Sequence, residues 1–235
     1  MEKTKRYIIF ILGLLVNSLG VSLVTKANLG TSPISSIPYV LSMNFSLSLG
    51  TFTVLFSLLL IWLQLLILRK NFKFEHMLQI PVAFAFGIFI DLCMVLLEFM
   101  HPEQYGMKFF CLILGCLVLG IGVYMEILAD VVMLPGESFV RSIVFRWKRE
   151  FGTTKVAFDV SMTIGAGVLS FLFAGRLSGV REGTVIAAVL VGLIARLIGS
   201  RLAFLSNGLF MVPVGGSCKS DGPGKIDKQP DSLKI

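Results

Sequence analysis

Charged residues are scarce in this sequence. Asp, Glu, Lys and Arg make up 15% of its 235 residues, whereas a soluble domain of average composition carries about 25%. Hydrophobic residues make up 55% of the chain, and the mean hydropathy is +0.86. Several separate apolar runs reach about 20 residues, the length at which a helix crosses a bilayer. These features argue against a large soluble helical protein and predict an all-α polytopic membrane protein.

The chain also lacks the residue patterns of most enzymes and metal proteins. No CxxC or Cys/His spacing occurs, so neither a zinc site nor a disulfide framework is indicated. The two histidines lie outside any HExxH motif, and no GxSxG or P-loop pattern occurs. We therefore expect no enzymatic activity, no metal and no cofactor; a hydrolase using Ser32, Ser35 or Ser36 has no visible base. Three of the four cysteines fall in apolar runs and are predicted to be buried small residues: Cys93, Cys111 and Cys116.

Six membrane spans are predicted from the apolar runs. They cover residues 7–25, 51–68, 78–100, 109–128, 155–174 and 184–206, and each is long enough to cross about 30 Å at 1.5 Å per residue. Two further apolar segments, 33–45 and 135–147, are only about 12 residues long, which is too short to span.

The first span is longer than a signal-peptide core, and no small-residue cleavage site follows it. The polar tail is predicted to be largely disordered.

The basic residues predict how the spans are oriented. With the N-terminus in the cytoplasm, 11 Lys and Arg residues fall on the cytoplasmic side before the tail is counted, and four fall outside. This bias favours cytoplasmic N- and C-termini in a bacterial inner membrane. The net charge of +7 then fits loops facing anionic lipid, and no nucleic-acid partner is expected. The predicted division is a cytoplasmic N-terminus (1–6), a first repeat (7–100), an external loop (101–108), a second repeat (109–206) and a cytoplasmic tail (207–235).

The two predicted repeats are similar in sequence. When residues 11–57 are compared with 113–159, an offset of 102, 14 of 47 positions are identical without a gap. The matches include Gly20 with Gly122, Pro33 with Pro135 and other Gly, Ser and Thr positions that apolar bias does not readily produce. Because each repeat holds three spans, the second copy enters the membrane from the opposite side. This predicts two inverted-topology repeats, related by a pseudo-two-fold axis in the membrane plane.

Each repeat contains a broken segment after its first span. In one copy it is 27-ANLGTSPISSIP-38, predicted to begin outside, and in the other 129-ADVVMLPGES-138, predicted to begin on the cytoplasmic side. A short helix starting at each Pro suits proline in a first helical turn. Its free N–H groups could hold an anionic or polar group if the segment re-enters the membrane. The alternative is an amphipathic helix at the interface. Candidate binding residues here are Asn28, Ser32, Ser35 and Glu137, which is also a candidate helix cap.

Two charges fall near the middle of predicted spans. Asp91 lies near the middle of the third span and Arg196 near the middle of the sixth, where a charge costs at least about 2.5–3.5 kcal/mol. Allowing a three-residue insertion, the two positions match across the repeats. We therefore expect an Asp91–Arg196 pair, either as a gate or substrate clamp or as a permanent structural contact.

The remaining intramembrane acids collect in the second repeat. Neutral residues stand at the matching positions of Asp130 and Asp159 in the first repeat. Converging carboxylates are expected to bind a cation, carry a coupling proton or form ion pairs. Glu137 and Arg141, four residues apart on the short helix, are the simplest such pair. The acids are Glu126, Asp130, Glu137 and Asp159.

The motifs LGTSPIS and LPGE, set between apolar spans, resemble those of the YczE/YitT-like bacterial membrane proteins. The resemblance covers roughly residues 7–210 and maps LPGE onto Leu134, Pro135, Gly136 and Glu137. Many relatives carry Pro-Trp-Asp in the first broken segment, where this chain has Pro33, Ile34 and Ser35, so the role of that acid does not carry over. The family is poorly characterised and often described as transporters, so the resemblance implies a membrane protein more than a substrate.

Three functions compete for this sequence. The first is a small secondary transporter or channel for a small polar or charged solute, based on inverted repeats, broken segments and intramembrane charges. The second is a membrane-embedded substrate-binding subunit that needs an energising partner. The third is an accessory or assembly protein that acts through contacts. The expected partners are the lipid bilayer and an unidentified solute, and a homo-oligomer is an open alternative.

Overall fold

The part of the chain that the structure describes consists of helices and the connections between them. The structure is a computed structural model, and it describes residues 2–69, 77–175, 179, 181–191 and 193–194. These residues contain no strand. The predicted tail, Arg196 and most of the sixth predicted span lie outside them. The helices are α1 (Glu2–Lys26), α2 (Pro33–Asn44), α3 (Leu49–Leu68), α4 (Gln79–Leu96), α5 (Tyr105–Ala129), α6 (Pro135–Trp147), α7 (Phe151–Ala174) and α8 (Glu182–Val191).

Five helices are long and apolar enough to cross a membrane: α1, α3, α4, α5 and α7. They correspond to the first five predicted spans, which are therefore confirmed as apolar helices of spanning length. Several begin a few residues before the predicted boundary, because polar residues supply the first turn and hydropathy does not detect them. At α3, the Ser48 side chain accepts a hydrogen bond from the Thr51 backbone N–H at 3.1 Å, which caps the helix before its apolar run.

The short helices begin where the prolines predict. Pro33 and Pro135 occupy the first turns of α2 and α6, where a missing N–H costs no helical hydrogen bond. The chain enters each broken segment through a left-handed residue, Asn28 with φ 55° and Asp130 with φ 47°. Asn and Asp are the non-glycine residues that tolerate this conformation best. The two residues stand 102 positions apart, so both breaks begin with a left-handed residue at the equivalent position of the repeat.

Helices α1 and α5 form the centre of the molecule as an antiparallel pair. A methyl group on Gly20 would lie 2.5 Å from the Leu119 backbone nitrogen, and one on Gly122 would lie 2.5 Å from the Asn17 backbone nitrogen. Gly13 and Gly115 approach the partner helix in the same way, at residues 125–126 and 23–24 respectively. Glycine permits this backbone contact, as it does between membrane helices generally. Adding 102 to the α1 residue and subtracting 102 from the α5 residue converts one contact into the other.

The outer helices pack in a crossed pattern around this pair. Helix α2 lies against α7, and α6 lies against α3. The first turns of the two short helices meet, since a methyl group on Gly136 would lie 3.1 Å from the Ile34 Cδ1 atom. Ile34 in turn packs against a buried cluster of Leu60, Val140 and Phe158. The starts of α2 and α6, far apart in sequence, are therefore neighbours.

Apolar side chains cover much of the outside of the described helices. Ile88, Val95 and Phe99 are examples, with Phe99 79% exposed. Such a surface is disfavoured in water but suits contact with lipid. Cys93, Cys111 and Cys116 are buried free thiols, as predicted; Cys218 lies outside the described residues.

Candidate functional site

A cavity of about 690 Å³ opens beside the second broken segment. Its walls come from the ends of α3 and α5, the start of α4, the connection after Asp130 and the first two turns of α6. Its polar lining is Gln79, Glu126, Asp130, Glu137, Ser138, Arg141 and Ser142. The volume lies within the range of sites that bind small molecules.

Buried amides hold the start of α6 against α3 and α4. The Gln64 Nε2 donates to the Pro135 carbonyl at 3.0 Å, and the Ser138 hydroxyl donates to Gln64 Oε1 at 3.0 Å. Gln79 Nε2 donates to the same hydroxyl at 2.8 Å. Gln64 is completely buried, and Gln79 is 3% exposed. Since such amides are expensive in an apolar interior unless paired, this network fixes the position of the α6 first turn.

One acceptor of this network has no partner. The Gln79 Oε1 atom is buried and receives no hydrogen bond, although the residue lines the cavity. A buried polar atom without a partner costs about 1–3 kcal/mol, and an unmatched group of this kind calls for a physical explanation. A donor on a bound molecule would supply it.

The carboxylates of the cavity are held in different ways. The Asn17 amide donates to Glu126 Oε1 at 2.9 Å, and both side chains are buried. Glu137 lies in the first turn of α6 but accepts no hydrogen bond from the described residues, so it does not cap the helix as predicted. It is close enough to Glu126 for electrostatic repulsion, and Lys155 and Asp159 lie within electrostatic range of it.

The expected Glu137–Arg141 ion pair is not formed. The Arg141 guanidinium instead donates to the Met133 sulfur at 3.2 Å. The ion pair among the described residues joins Lys155 and Asp159, at 2.8 Å and four residues apart on α7. Of these two pairs with the same i,i+4 spacing, the one on α7 forms and the one on α6 does not.

The first broken segment is closed where the second has its cavity. The Gly183 backbone N–H donates to the Leu29 carbonyl at 2.9 Å, and the Thr31 N–H donates to Thr184 Oγ1 at 3.3 Å. The Arg181 guanidinium reaches the Asn28 carbonyl at 3.4 Å. The start of α8 thus seals the connection 28–31, and the two ends of the molecule differ.

Comparison with known proteins identifies the family. A model described as "Family of unknown function (DUF6198)" matches residues 4–200. The chain belongs to this family. It is 27% identical over 198 residues to "Uncharacterized membrane protein YczE" of Bacillus subtilis (strain 168), covering 83% of this chain and 86% of YczE. This confirms the YczE-like resemblance and, with the apolar helices, a multi-pass membrane protein.

A second Bacillus subtilis relative, "Uncharacterized protein YyaS", is 31% identical over 118 residues. That match covers 50% of this chain and 57% of YyaS, so the chain aligns with just over half of the YyaS length. No solved structure matches the chain significantly.

Two of the eight predicted site residues, Asp130 and Glu137, line the cavity. Asn28 lies at the sealed end, and Ser32 and Ser35 hydrogen-bond each other at the α2 start. The predicted role of Asp159 stays a prediction, since it pairs with Lys155 and is not part of the cavity wall. Arg196 lies outside the described residues.

Asp91 has a defined partner. Its carboxylate accepts from the Ser48 hydroxyl at 2.6 Å and from the Gly50 backbone N–H at 2.7 Å. It therefore caps α3 from the neighbouring helix α4, where a carboxylate is favoured by the helix dipole. The predicted pair with Arg196 stays a prediction.

Sequence reasoning missed the amides and Ser138. Gln64, Gln79 and Asn17 are isolated polar residues in apolar runs, and no spacing motif joins them. Their position within or at the end of an apolar run could have identified them, because an uncharged polar side chain within a membrane span usually faces a partner or water.

Proposed function

We propose that this chain is a small secondary transporter of six spans, arranged as two inverted-topology repeats, with its solute site in the cavity beside Glu137. The observation that carries the proposal is the contrast between two matching breaks. One break receives three hydrogen bonds with the α8 region, whereas the other borders a cavity lined by both apolar and polar residues, among them Gln79 with its unpartnered oxygen.

The contacts of the central pair support the inverted repeats. A two-fold operation that exchanges α1 with α5 also exchanges the Gly20–Leu119 contact with the Gly122–Asn17 contact. The same operation exchanges the α2–α7 packing with the α6–α3 packing. Because α1 and α5 are antiparallel, such an axis lies across the helices, as in transporters built from inverted repeats.

The same register supports re-entry of the broken segments. It places Ala27 beside residue 112 and Ala129 beside residue 10, so the breaks lie about 25 Å apart along the pair at 1.5 Å per residue. The first turns of α2 and α6 nevertheless touch, at Ile34 and Gly136. Segments 28–32 and 130–134 therefore run toward each other, and the buried Gln64 amide satisfies the Pro135 carbonyl just after the second.

The difference between the two ends supports alternating closure. In an inverted-repeat transporter, exchanging the conformations of the two repeats opens one side and closes the other. Among the described residues, the side with the cavity at Asp130 is the open one, and the side at Asn28 is bound by the α8 region. With the predicted cytoplasmic termini, the open side is the cytoplasmic one.

Reconstitution tests this proposal against the two other functions. Purified full-length protein in proteoliposomes is expected to take up at least one of radiolabelled guanidinium, methylammonium, acetate, phosphate and glycerol, with protein-free liposomes as the control. Saturable binding without uptake would overturn transport in favour of a binding subunit. Neither binding nor uptake, together with a stoichiometric co-purifying protein, would overturn it in favour of an accessory role. We further propose that the chain is not an enzyme.

A further inference from the structure

Residues that line the cavity carry hydrogen-bond acceptors that receive few or no donors from the described residues. Gln79 Oε1 is one, buried and unpartnered. The Glu137 carboxylate accepts nothing from the described residues, and Glu126 receives the single Asn17 amide. A molecule that satisfies these acceptors must donate hydrogen bonds to them.

The wall carries more acidic than basic side chains, and this balance favours a cation. Three of the lining side chains are carboxylates, at Glu126, Asp130 and Glu137, and one is a guanidinium, at Arg141. Arg141 is exposed and directed to the Met133 sulfur. Lys155, the other cation near Glu137, is neutralised by its 2.8 Å contact with Asp159. Glu126 is buried and Glu137 is half-buried, so their attraction to a positive group is screened less than that of fully exposed carboxylates.

The spacing of these groups favours an organic cation over a metal ion. In the ranges that the structure describes, no three His, Cys, Asp or Glu side chains converge in a way that could hold a metal ion. The acceptors are instead spread over α4, α5 and α6, around about 690 Å³. Separated acceptors suit separated N–H groups, such as those of an ammonium or guanidinium compound.

We propose that the cavity binds a small organic cation of the ammonium or guanidinium class, with Glu137 as its main charge partner and Gln79 Oε1 as a neutral acceptor. The inference deepens the proposed function, since it names the substrate class of the same site. It is tested by binding alone and therefore does not depend on transport.

Thermal unfolding of the purified full chain in detergent tests the proposal. Guanidinium and methylammonium chloride, each at up to 20 mM, are compared with sodium chloride and sodium acetate at equal ionic strength. We expect a saturable rise in the unfolding temperature with at least one organic cation and none with acetate. Stabilisation by acetate alone, or by sodium as strongly as by both organic cations, would overturn the proposal.

Three variants locate the binding. Glu137→Gln is expected to weaken the cation affinity about tenfold to hundredfold, because a charge-assisted hydrogen bond is lost. Gln79→Met keeps the side-chain volume and removes both the acceptor and the Nε2 donor to Ser138, and we expect a loss of about threefold to tenfold. Glu103→Gln, an exposed carboxylate before α5, is the matched control and should bind as the wild type does. Unchanged affinity in both cavity variants would contradict the site.

The two proposals fail in different ways. If guanidinium binds and Glu137→Gln abolishes binding, but proteoliposomes take up nothing, transport is wrong and the cation site stands. If proteoliposomes take up acetate or phosphate and neither organic cation binds, the substrate class is wrong and transport stands. If Glu137→Gln is not monodisperse on size exclusion, Gln79→Met carries the test.

Discussion

The Asn17 amide donates to the buried Glu126 carboxylate at 2.9 Å, across the α1–α5 pair. The positions equivalent to these two, 102 residues away, are Leu119 and Val24, which are buried apolar side chains. One side of the central pair therefore carries a polar contact, and the other side carries none. The cavity lies on the polar side, so the two repeats share a backbone but differ in chemistry.

Replacing Asn17 should show how much its contact with Glu126 contributes to the free energy of unfolding. We expect Asn17→Leu to lower the free energy of unfolding by about 1–2 kcal/mol, because the buried Glu126 carboxylate loses its donor. Adding Glu126→Val should recover most of the loss, since the equivalent side of the helix pair already accommodates Leu and Val. Denaturant unfolding in detergent measures both. Additive losses in the double variant would show that the two side chains are energetically independent.

Close packing of α1 and α5 predicts a strong effect of small substitutions. We expect Gly20→Ala and Gly122→Ala each to destabilise the protein by about 1–3 kcal/mol, because a methyl group would meet the partner backbone at 2.5 Å. Gly106→Ala is the matched control on α5, where nothing lies within 4 Å, and it should be neutral or slightly stabilising. Thermal unfolding compares the three; equal effects would contradict the register.

The contact of Asp91 with the start of α3 predicts a stability role. We expect Asp91→Ala to cost about 1–2 kcal/mol, because it removes acceptors from the Ser48 hydroxyl and the Gly50 N–H. Cation affinity at the cavity should be unchanged, because Asp91 is not part of its wall. Unfolding and binding assays on the same sample check both outcomes, and a specific loss of affinity with normal stability would refute this role.

Much of the fold could be predicted from the sequence because helices in membranes have strong local signals. The length of an apolar run predicted α1, α3, α4, α5 and α7. Pro33 and Pro135 predicted where the short helices begin, since proline is tolerated in a first turn and little elsewhere in a helix. The helix starts were less accurate, because capping depends on side chains such as Ser48 that hydropathy does not weigh.

The site was predicted only in part. Asp130 and Glu137 were found because a charge is conspicuous in an apolar segment. Gln79 and Ser138 were not, because their role depends on the approach of α3, α4 and α6, which no local pattern specifies. The predicted Glu137–Arg141 pair was wrong. A spacing of four residues shows only that two helical side chains can reach each other, and Arg141 instead contacts the Met133 sulfur.

Cross-linking the sealed end tests alternating closure most directly. Thr31→Cys and Thr184→Cys, introduced together after the four native cysteines are replaced, put thiols on two residues that are in contact, since the Thr31 N–H donates to Thr184 Oγ1 at 3.3 Å. Proteoliposome uptake of the panel solutes would be measured before oxidation, after oxidation and after reduction, with Thr184→Cys alone as the control. We expect oxidation to stop uptake and reduction to restore it. Uptake that continues after complete cross-linking, or that is absent from the wild type for every solute, would contradict transport by alternating closure.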